Sequence, residues 1–363
     1  MENLVLKNLF GGTYDGRRIL VTGHTGFKGS WLCLWLKAMG AQVSGLALDP
    51  DAELSHWNLL DLSDVRDTRV DIRDSDALLK ALNEIQPEVI FHLAAQPLVR
   101  RSYRDPVTTF DTNIIGLVNL LEAVRVTASV RVLVNATTDK VYLDQPTDAG
   151  YPEDHSLGGH DPYSTSKACA ELVTQCYRKS FFADSGPLVA TARAGNVIGG
   201  GDWSEDRLVP DLVRAASTGK VLSIRNPDAI RPWQHLLEPL SGYLRLAEAL
   251  LSGADVEGAW NFGPSTDANL PVQALVTKMQ EHWPGLVSEH DSALQPHEAN
   301  VLRLDCSKAA KTLGWRPVWN ADETLRRTSH WYRAYYEHGL VCSRDDLHDY
   351  VAAAYAAGQG WAA

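Results

Sequence analysis

The sequence predicts an α/β fold: a doubly wound parallel sheet with a smaller C-terminal substrate-binding domain. Three observations predict it. Short β-branched runs alternate with helical patterns through the first half of the chain, the rhythm of right-handed βαβ crossovers. A glycine-rich turn, Gly23-His24-Thr25-Gly26-Phe27-Lys28-Gly29, separates the first run from the first helical pattern. Past about residue 196 prolines and tryptophans become frequent and the alternation weakens.

Taken in order, Arg18 to Thr22 reads as the first strand and Trp31 to Met39 as the helix behind it. Gln42 to Leu48 is the second strand and Val70-Asp71-Ile72 a short third. A helix follows from about Asp74 to Glu84, its apolar face carrying Ala77, Leu78, Ala81, Leu82 and Ile85. Glu88 to Leu93 is the fourth strand, a long helix runs from about Pro106 to Thr127, and Val130 to Val134 is the fifth strand. Another helix starts near Pro162, with Asp161 at its N-cap and proline at the first helical position. Leu188 to Ala192 is the sixth strand. Residues 1–195 therefore form the first domain, and 196–363 mainly a second, with segments expected to return to the sheet around 222–250. Open α/β sheets bind ligands at their carboxyl edge, so the second domain is expected to wall the other side of a cleft.

The bulk numbers restrict the function. Of 363 residues, 45% are hydrophobic and 22% charged, the composition of a globular protein with a sizeable core. A formal charge of −11 argues against a nucleic-acid groove, though a few local cations and helix ends can still bind a small anion. No stretch approaches a membrane span and the first residues lack a signal-peptide layout. Five cysteines form no C-x-x-C pair, which suits a reducing cytoplasm. No His or Cys spacing supports a metal.

The glycine turn has the spacing G-x-x-G-x-x-G, a variant of the Rossmann fingerprint. Glycines there let the backbone turn, approach a pyrophosphate and pack helix on sheet. Gly23, Thr25, Gly26, Phe27 and Gly29 are the candidate cofactor residues. Lys28 is either a pyrophosphate clamp or a solvated residue at the helix start. Asp49, ending the second strand, can hold both hydroxyls of an adenosine ribose and would repel a 2′-phosphate, which favours NAD over NADP. Asp71 and Ile72 are placed to meet the adenine.

Two further strings carry candidate chemistry. Tyr163-Ser164-Thr165-Ser166-Lys167 reads Y-x-x-x-K at a helix start, with tyrosine and lysine one turn apart on one face. An ammonium there is expected to lower the tyrosine pKa toward neutrality, making Tyr163 a usable base. In Val134-Asn135-Ala136-Thr137-Thr138-Asp139-Lys140, charges sit at the inner end of a buried strand, where they need either an ion-pair partner or a task. His92 is read as packing against the strand ends, and Trp31 and Trp35 as core.

With the glycine turn, His92-Leu93-Ala94-Ala95 and Y-x-x-x-K in this order, the chain resembles the extended short-chain dehydrogenase/reductases that act as nucleotide-sugar epimerases and dehydratases. The likeness runs from about Asp15 to about Tyr336. Thr138-Asp139-Lys140, Ala95-Gln96-Pro97-Leu98-Val99, Arg193 to Trp203 and Arg231-Pro232-Trp233-Gln234-His235 are together similar to CDP-glucose 4,6-dehydratases. The resemblance implies NAD as cofactor, with Leu93, Ala94, Ala95, Tyr163 and Lys167 also touching it. It implies oxidation at C4 by Tyr163, then elimination of water across C5 and C6 with Asp139 as acid and Lys140 as base. The related dTDP-glucose enzymes carry Asp-Glu where this chain has Asp139-Lys140. Thr138 is expected to share the C4 oxygen with Tyr163. Gln96, Ser102, Asn196 and Arg231 are expected to contact substrate. His297 and Glu298 either contact the nucleotide end or lie in a surface loop. A 4-epimerase, or a dehydratase for another nucleotide sugar, stays open, as does a non-catalytic NAD-binding regulator. The resemblance further implies deoxysugar biosynthesis of the kind that supplies lipopolysaccharide O-antigen. It also implies a homodimer in which the long helix from Pro106, carrying Leu117, Leu120, Leu121 and Val124, joins the Tyr163 helix in a four-helix bundle.

Overall fold

A computed structural model of the chain describes residues 6–144, 150–224, 226–265, 268–290 and 303–363. His297 and Glu298 lie outside the described residues.

The centre is a seven-stranded sheet in which every pairing is parallel. Its strands are β1 (Arg18–Thr22), β2 (Gln42–Ala47), β3 (Arg66–Arg69), β4 (Val89–His92), β5 (Val132–Ala136) and β6 (Leu188–Ala194), with Gly258–Phe262 added at the edge. The spatial order is Gly258–Phe262, β6, β5, β4, β1, β2, β3. The order reverses between β1 and β4, so the loops leaving these two strands diverge and open a crevice.

The inner strands are apolar throughout because both faces are covered. Ile19 and Val21 of β1, Val89 and Phe91 of β4, and Val132 and Val134 of β5 point into one core. Leu20, Ile90 and Leu133, their chain neighbours, point into the other. The second core is closed by helices α2 (Ser75–Ile85), α3 (Gly116–Val126) and α4 (Pro162–Ser180). The first is closed by α1 (Phe27–Ala38) and by three helices from the second half: α5 (Leu237–Leu251), α6 (Ala321–His338) and α7 (Ser343–Ala356).

Several expectations shift. Helix α1 begins at Phe27, directly on the glycine turn, rather than at Trp31. The third strand is Arg66–Arg69, and Val70-Asp71-Ile72 is the segment leaving it. An edge strand is half solvated and can be polar, so its sequence Arg-Asp-Thr-Arg gives no apolar signal. The units that return to the sheet are α5 and the strand Gly258–Phe262, the latter beyond the expected 222–250 window. The long helix is interrupted by a π-helical turn, Asp111–Ile115, between Pro106–Phe110 and α3. Such turns are common at functional sites; here Asn113 on it reaches the loop after β4.

The Ala-rich C-terminus is not a loose tail. Leu347, Tyr350, Val351 and Ala354 form one buried face of α7. Trp361 stacks on Phe10 with ring centroids 5.0 Å apart and meets Trp35 of α1 edge-on. The end of the chain thus braces the helix that follows the glycine turn. Trp31 and Trp35 are fully buried, as expected.

Candidate active site

The crevice is a cavity of about 660 Å³. It runs from the glycine turn past the ends of β4 and β5 to the segment after β6 and the short strand Ile230–Pro232. Gly23, Thr25, Gly26, Phe27, Lys28 and Gly29 line one end, with Asp49, Asp71, Ile72, Leu93, Ala94 and Ala95.

Two glycines are enforced by close approach. A Cβ on Gly23 (φ +74°) would stand 2.7 Å from the Ala94 amide nitrogen, and one on Gly29 only 2.2 Å from the Gly23 carbonyl oxygen. Backbone packed this tightly leaves amides and the start of α1 facing the cavity, the arrangement that suits a pyrophosphate. At the far end Asp49 is exposed, with the Arg69 Nε 3.6 Å from its carboxylate. Asp71 accepts hydrogen bonds from the Arg73 amide and guanidinium, which hold its carboxyl below the usual range. These residues fit a dinucleotide with an unphosphorylated adenosine ribose.

Lys28 is half-buried rather than solvated and lines the cavity; its ammonium reaches the Tyr243 hydroxyl, 3.5 Å away, and lies in the field of Arg207, Lys167 and Asp139. Burial, and then those two cations, push it down to about 8.

The catalytic end is built by α4 lying against the end of β5. Asp161 caps the helix, accepting from the Ser164 amide, and proline occupies the first helical position as expected. Tyr163, Lys167 and Glu171 then follow at intervals of four on one buried face. Thr138 stands near enough to Tyr163 to pull its pKa down. The Lys167 Nζ donates to the Ala136 carbonyl at 3.2 Å. Burial pushes Tyr163 up to about 12 and Lys167 down to about 8. The expectation that the ammonium brings the phenol toward neutrality is therefore not met, because desolvation outweighs the pull of Thr138 and Arg207. A further positive charge placed beside Tyr163 would bring it down.

Thr138-Asp139-Lys140 forms a short 3₁₀ turn, Asp139–Val141, at the mouth of the sheet. Thr138 caps it and donates to the Asp139 Oδ1 at 3.1 Å. The carboxyl of Asp139 is buried and its Oδ2 has no hydrogen-bond partner among the described residues. Burial raises its pKa even though Lys140, Thr138, Arg231 and Lys28 all pull it down. A buried carboxyl that prefers its proton is what a general acid requires. Lys140 is half-buried and lines the same cavity.

On the substrate side, Asn196 and Arg231 both line the cavity. Gln96 also lines it, but its side chain is engaged elsewhere: the amide donates to the Leu98 carbonyl and Thr109, and its oxygen accepts from the Leu98 amide. It shapes the loop after β4, with Asn113 clamping its backbone at 2.8 Å and 3.1 Å. Ser102 is a correction. It is fully buried and off the cavity wall; its hydroxyl donates to the Val99 carbonyl and accepts from the Tyr163 amide. A side chain committed to the start of α4 has no direction left in which to meet a sugar, so it positions Tyr163 instead.

Sequence reasoning missed Arg207. It lies in the wall, is held at 2.9 Å by Asp202, and is the first cation to pull down Tyr163. Its signal was the charged run Ser204-Glu205-Asp206-Arg207 directly after the glycine-rich string. The cavity wall thus carries Lys28, Lys140, Lys167, Arg207 and Arg231, cations available to an anionic group, among carboxylates that include Asp139, Asp202, Glu205 and Asp206.

A Rossmann sheet with a glycine turn and a Tyr-Lys pair on one cleft defines a short-chain dehydrogenase/reductase. The comparisons narrow the class. A model of the GDP-mannose 4,6 dehydratase family matches residues 20–328, and the chain belongs to that family. It is 47% identical over 350 residues to the CDP-glucose 4,6-dehydratase of Salmonella typhimurium, covering 94% of this chain and 98% of that protein. The dTDP-glucose 4,6-dehydratase of the same organism is 26% identical, covering 87% and 93%. Among solved structures, the Thermus thermophilus UDP-glucose 4-epimerase in complex with NAD superposes with a TM-score of 0.76 at 28% identity, covering 87% of this chain and 99% of that one.

Proposed function

We propose that this chain converts CDP-glucose to CDP-4-keto-6-deoxyglucose by oxidation at C4, loss of water across C5 and C6, and reduction at C6, with NAD unchanged overall. The observation that carries the reading is the buried Asp139, its pKa raised, beside Lys140 and sharing one dinucleotide cleft with Thr138 and the Tyr163–Lys167 pair. The 47% identity to a CDP-glucose 4,6-dehydratase supports the nucleotide.

Bound in the cleft, NAD supplies reversible hydride chemistry; the chain's own side chains move the protons. Tyr163 takes the C4 hydroxyl proton while Thr138 holds the same oxygen and Lys167 offsets the developing phenolate. The resulting C4 ketone acidifies the C5 hydrogen, which Lys140 removes. Asp139 gives its proton to the C6 hydroxyl, which leaves as water. Reduction at C6 and reprotonation at C5 complete the product. Asn196, Arg207 and Arg231 bind the diphosphate and nucleotide, Arg through the planar fork that suits phosphate. A plain 4-epimerase would have no use for the Asp139–Lys140 pair.

The reading extends to a division near residue 195, with the later residues mainly binding substrate, and to a cytoplasmic enzyme of deoxysugar biosynthesis of the kind that feeds O-antigen. It also extends to a homodimer. Leu117, Leu120, Leu121 and Val124 are buried within the protomer and offer no free face. Val107, Ile115 and Leu172, exposed at 78%, 49% and 54% beside one another's helices, are the apolar residues left for a bundle. Sedimentation as a stable monomer at micromolar concentration would remove that part.

The activity is tested by incubating the protein and NAD separately with CDP-, dTDP-, UDP- and GDP-glucose. The 4-keto-6-deoxy product, which absorbs in the near ultraviolet in base, is expected with CDP-glucose. An epimer without that absorbance would overturn the reading.

A further inference from the structure

Helix α4 and strand β5 meet along a zipper that extends beyond the Tyr-Lys pair. Lys167 holds the Ala136 carbonyl, and Glu171, one turn on, accepts the Thr137 hydroxyl at 2.5 Å. Thr174 accepts from Asn135 at 2.9 Å. Thr137 is the residue immediately before Thr138-Asp139-Lys140. Glu171 is itself fixed from β6: Arg193 donates to both carboxylate oxygens, at 3.0 Å and 2.9 Å, and Thr191 donates at 2.6 Å. Glu171 and Arg193 are both almost wholly buried. The other Arg193 nitrogen donates to the Tyr142 hydroxyl and the Glu153 carbonyl, on the segment that leaves Lys140. The network therefore grips the chain on both sides of the Asp139–Lys140 pair.

Tyr163 shares the helix but has anchors outside this network. Its amide donates to Ser102, and its helix is capped by Asp161. Loosening Glu171 thus displaces the elimination residues relative to a tyrosine that stays in place. We propose that Glu171 is a positioning residue that sets Asp139 and Lys140 against Tyr163 for the elimination step. The proposal rests on the dehydratase reading above. A buried ion pair can also be merely structural, contributing little beyond satisfying its own charges; the test must separate the two.

Thr137→Val keeps the β-branched shape and removes the hydroxyl through which Glu171 holds the residue after β5, leaving the ion pair intact. In single turnovers with the wild type's nucleotide sugar, C4 oxidation is followed by the near-ultraviolet absorbance of reduced nicotinamide and elimination by its decay. Thr137→Val is expected to let that absorbance build up, with elimination slowed at least about tenfold more than oxidation, as a small misplacement does. Thr137→Ser is expected to recover the elimination rate. Glu171→Gln combined with Arg193→Gln, which leaves no unpaired buried charge, is expected to give the same split. Equal loss of both steps, or loss of neither, in the Thr137→Val variant would overturn the positioning role. Wild type that dehydrates a sugar other than CDP-glucose overturns only the nucleotide, and the split is read on that sugar. Wild type that dehydrates none overturns the dehydratase reading and this proposal with it.

Discussion

Replacing Asp139 by Asn removes the proton assigned to the C6 hydroxyl while keeping the side chain's size. The carboxyl is buried, its Oδ1 accepts from Thr138 at 3.1 Å, and burial raises its pKa. Asparagine keeps the size and an oxygen that can accept the same hydrogen bond, and a buried amide costs less than a buried carboxylate, so the melting temperature is expected to hold or rise slightly. Activity should respond very differently. Loss of a positioned general acid costs about 10²–10⁴-fold, or roughly 3–5 kcal/mol of barrier at 1.36 kcal/mol per tenfold. The loss should fall on elimination alone, because Tyr163, Thr138 and Lys167 remain for oxidation. Rapid-mixing absorbance should show reduced nicotinamide forming at a near-normal rate and then persisting. The sign of the pH dependence follows from the raised pKa: the wild-type elimination rate falls as pH rises through it, and that limb disappears in the variant. Normal turnover by Asp139→Asn, or equal loss of oxidation, would refute the assignment of Asp139 as acid.

Lys140→Ala is expected to stop elimination while NAD binding, followed by tryptophan quenching, stays whole; normal turnover would exclude Lys140 as the C5 base. Gly29→Ala places a Cβ 2.2 Å from a backbone oxygen that cannot yield easily, so NAD affinity should fall by roughly 5- to 150-fold for an overpacking cost of about 1–3 kcal/mol, read by calorimetry. Glu238 bears on stability. Burial pushes its carboxyl up from 4.5 to about 7 against hydrogen bonds from Trp319, Tyr350 and Val318. A raised carboxyl contributes stability that is fully present below its unfolded value and is lost as pH rises through about 7. Thermal melts from about pH 5 to about pH 8 should therefore show a decline of up to roughly 3 kcal/mol that is reduced in Glu238→Gln; an identical decline in the variant would remove Glu238 as its source.

Much of the fold was legible because inner parallel strands must be apolar on both faces. Leu20 points into one core and its neighbours Ile19 and Val21 into the other, so each inner strand reads as a continuous run. The edge strand Arg66–Arg69 escaped notice because nothing requires an edge to be apolar. The glycine turn and Y-x-x-x-K are local, and local spacing sufficed to place Gly23, Gly29, Tyr163 and Lys167 on one cavity. The place of Ser102 escaped sequence reasoning because it depends on a partner 61 residues away, Tyr163. Glu171 could have been read as one more step of the same four-residue period. The brace formed by the C-terminus was written in the spacing of Leu347, Tyr350, Val351 and Ala354, hidden by the alanines between them.

The most direct measurement uses CDP-glucose labelled with deuterium at C4, converted in ordinary water and analysed by nuclear magnetic resonance. One deuterium should be found at C6 of a 4-keto-6-deoxy product, having been taken from C4 and returned within one active site. Deuterium still at C4 of an epimer, or lost to solvent, would contradict the proposed reaction.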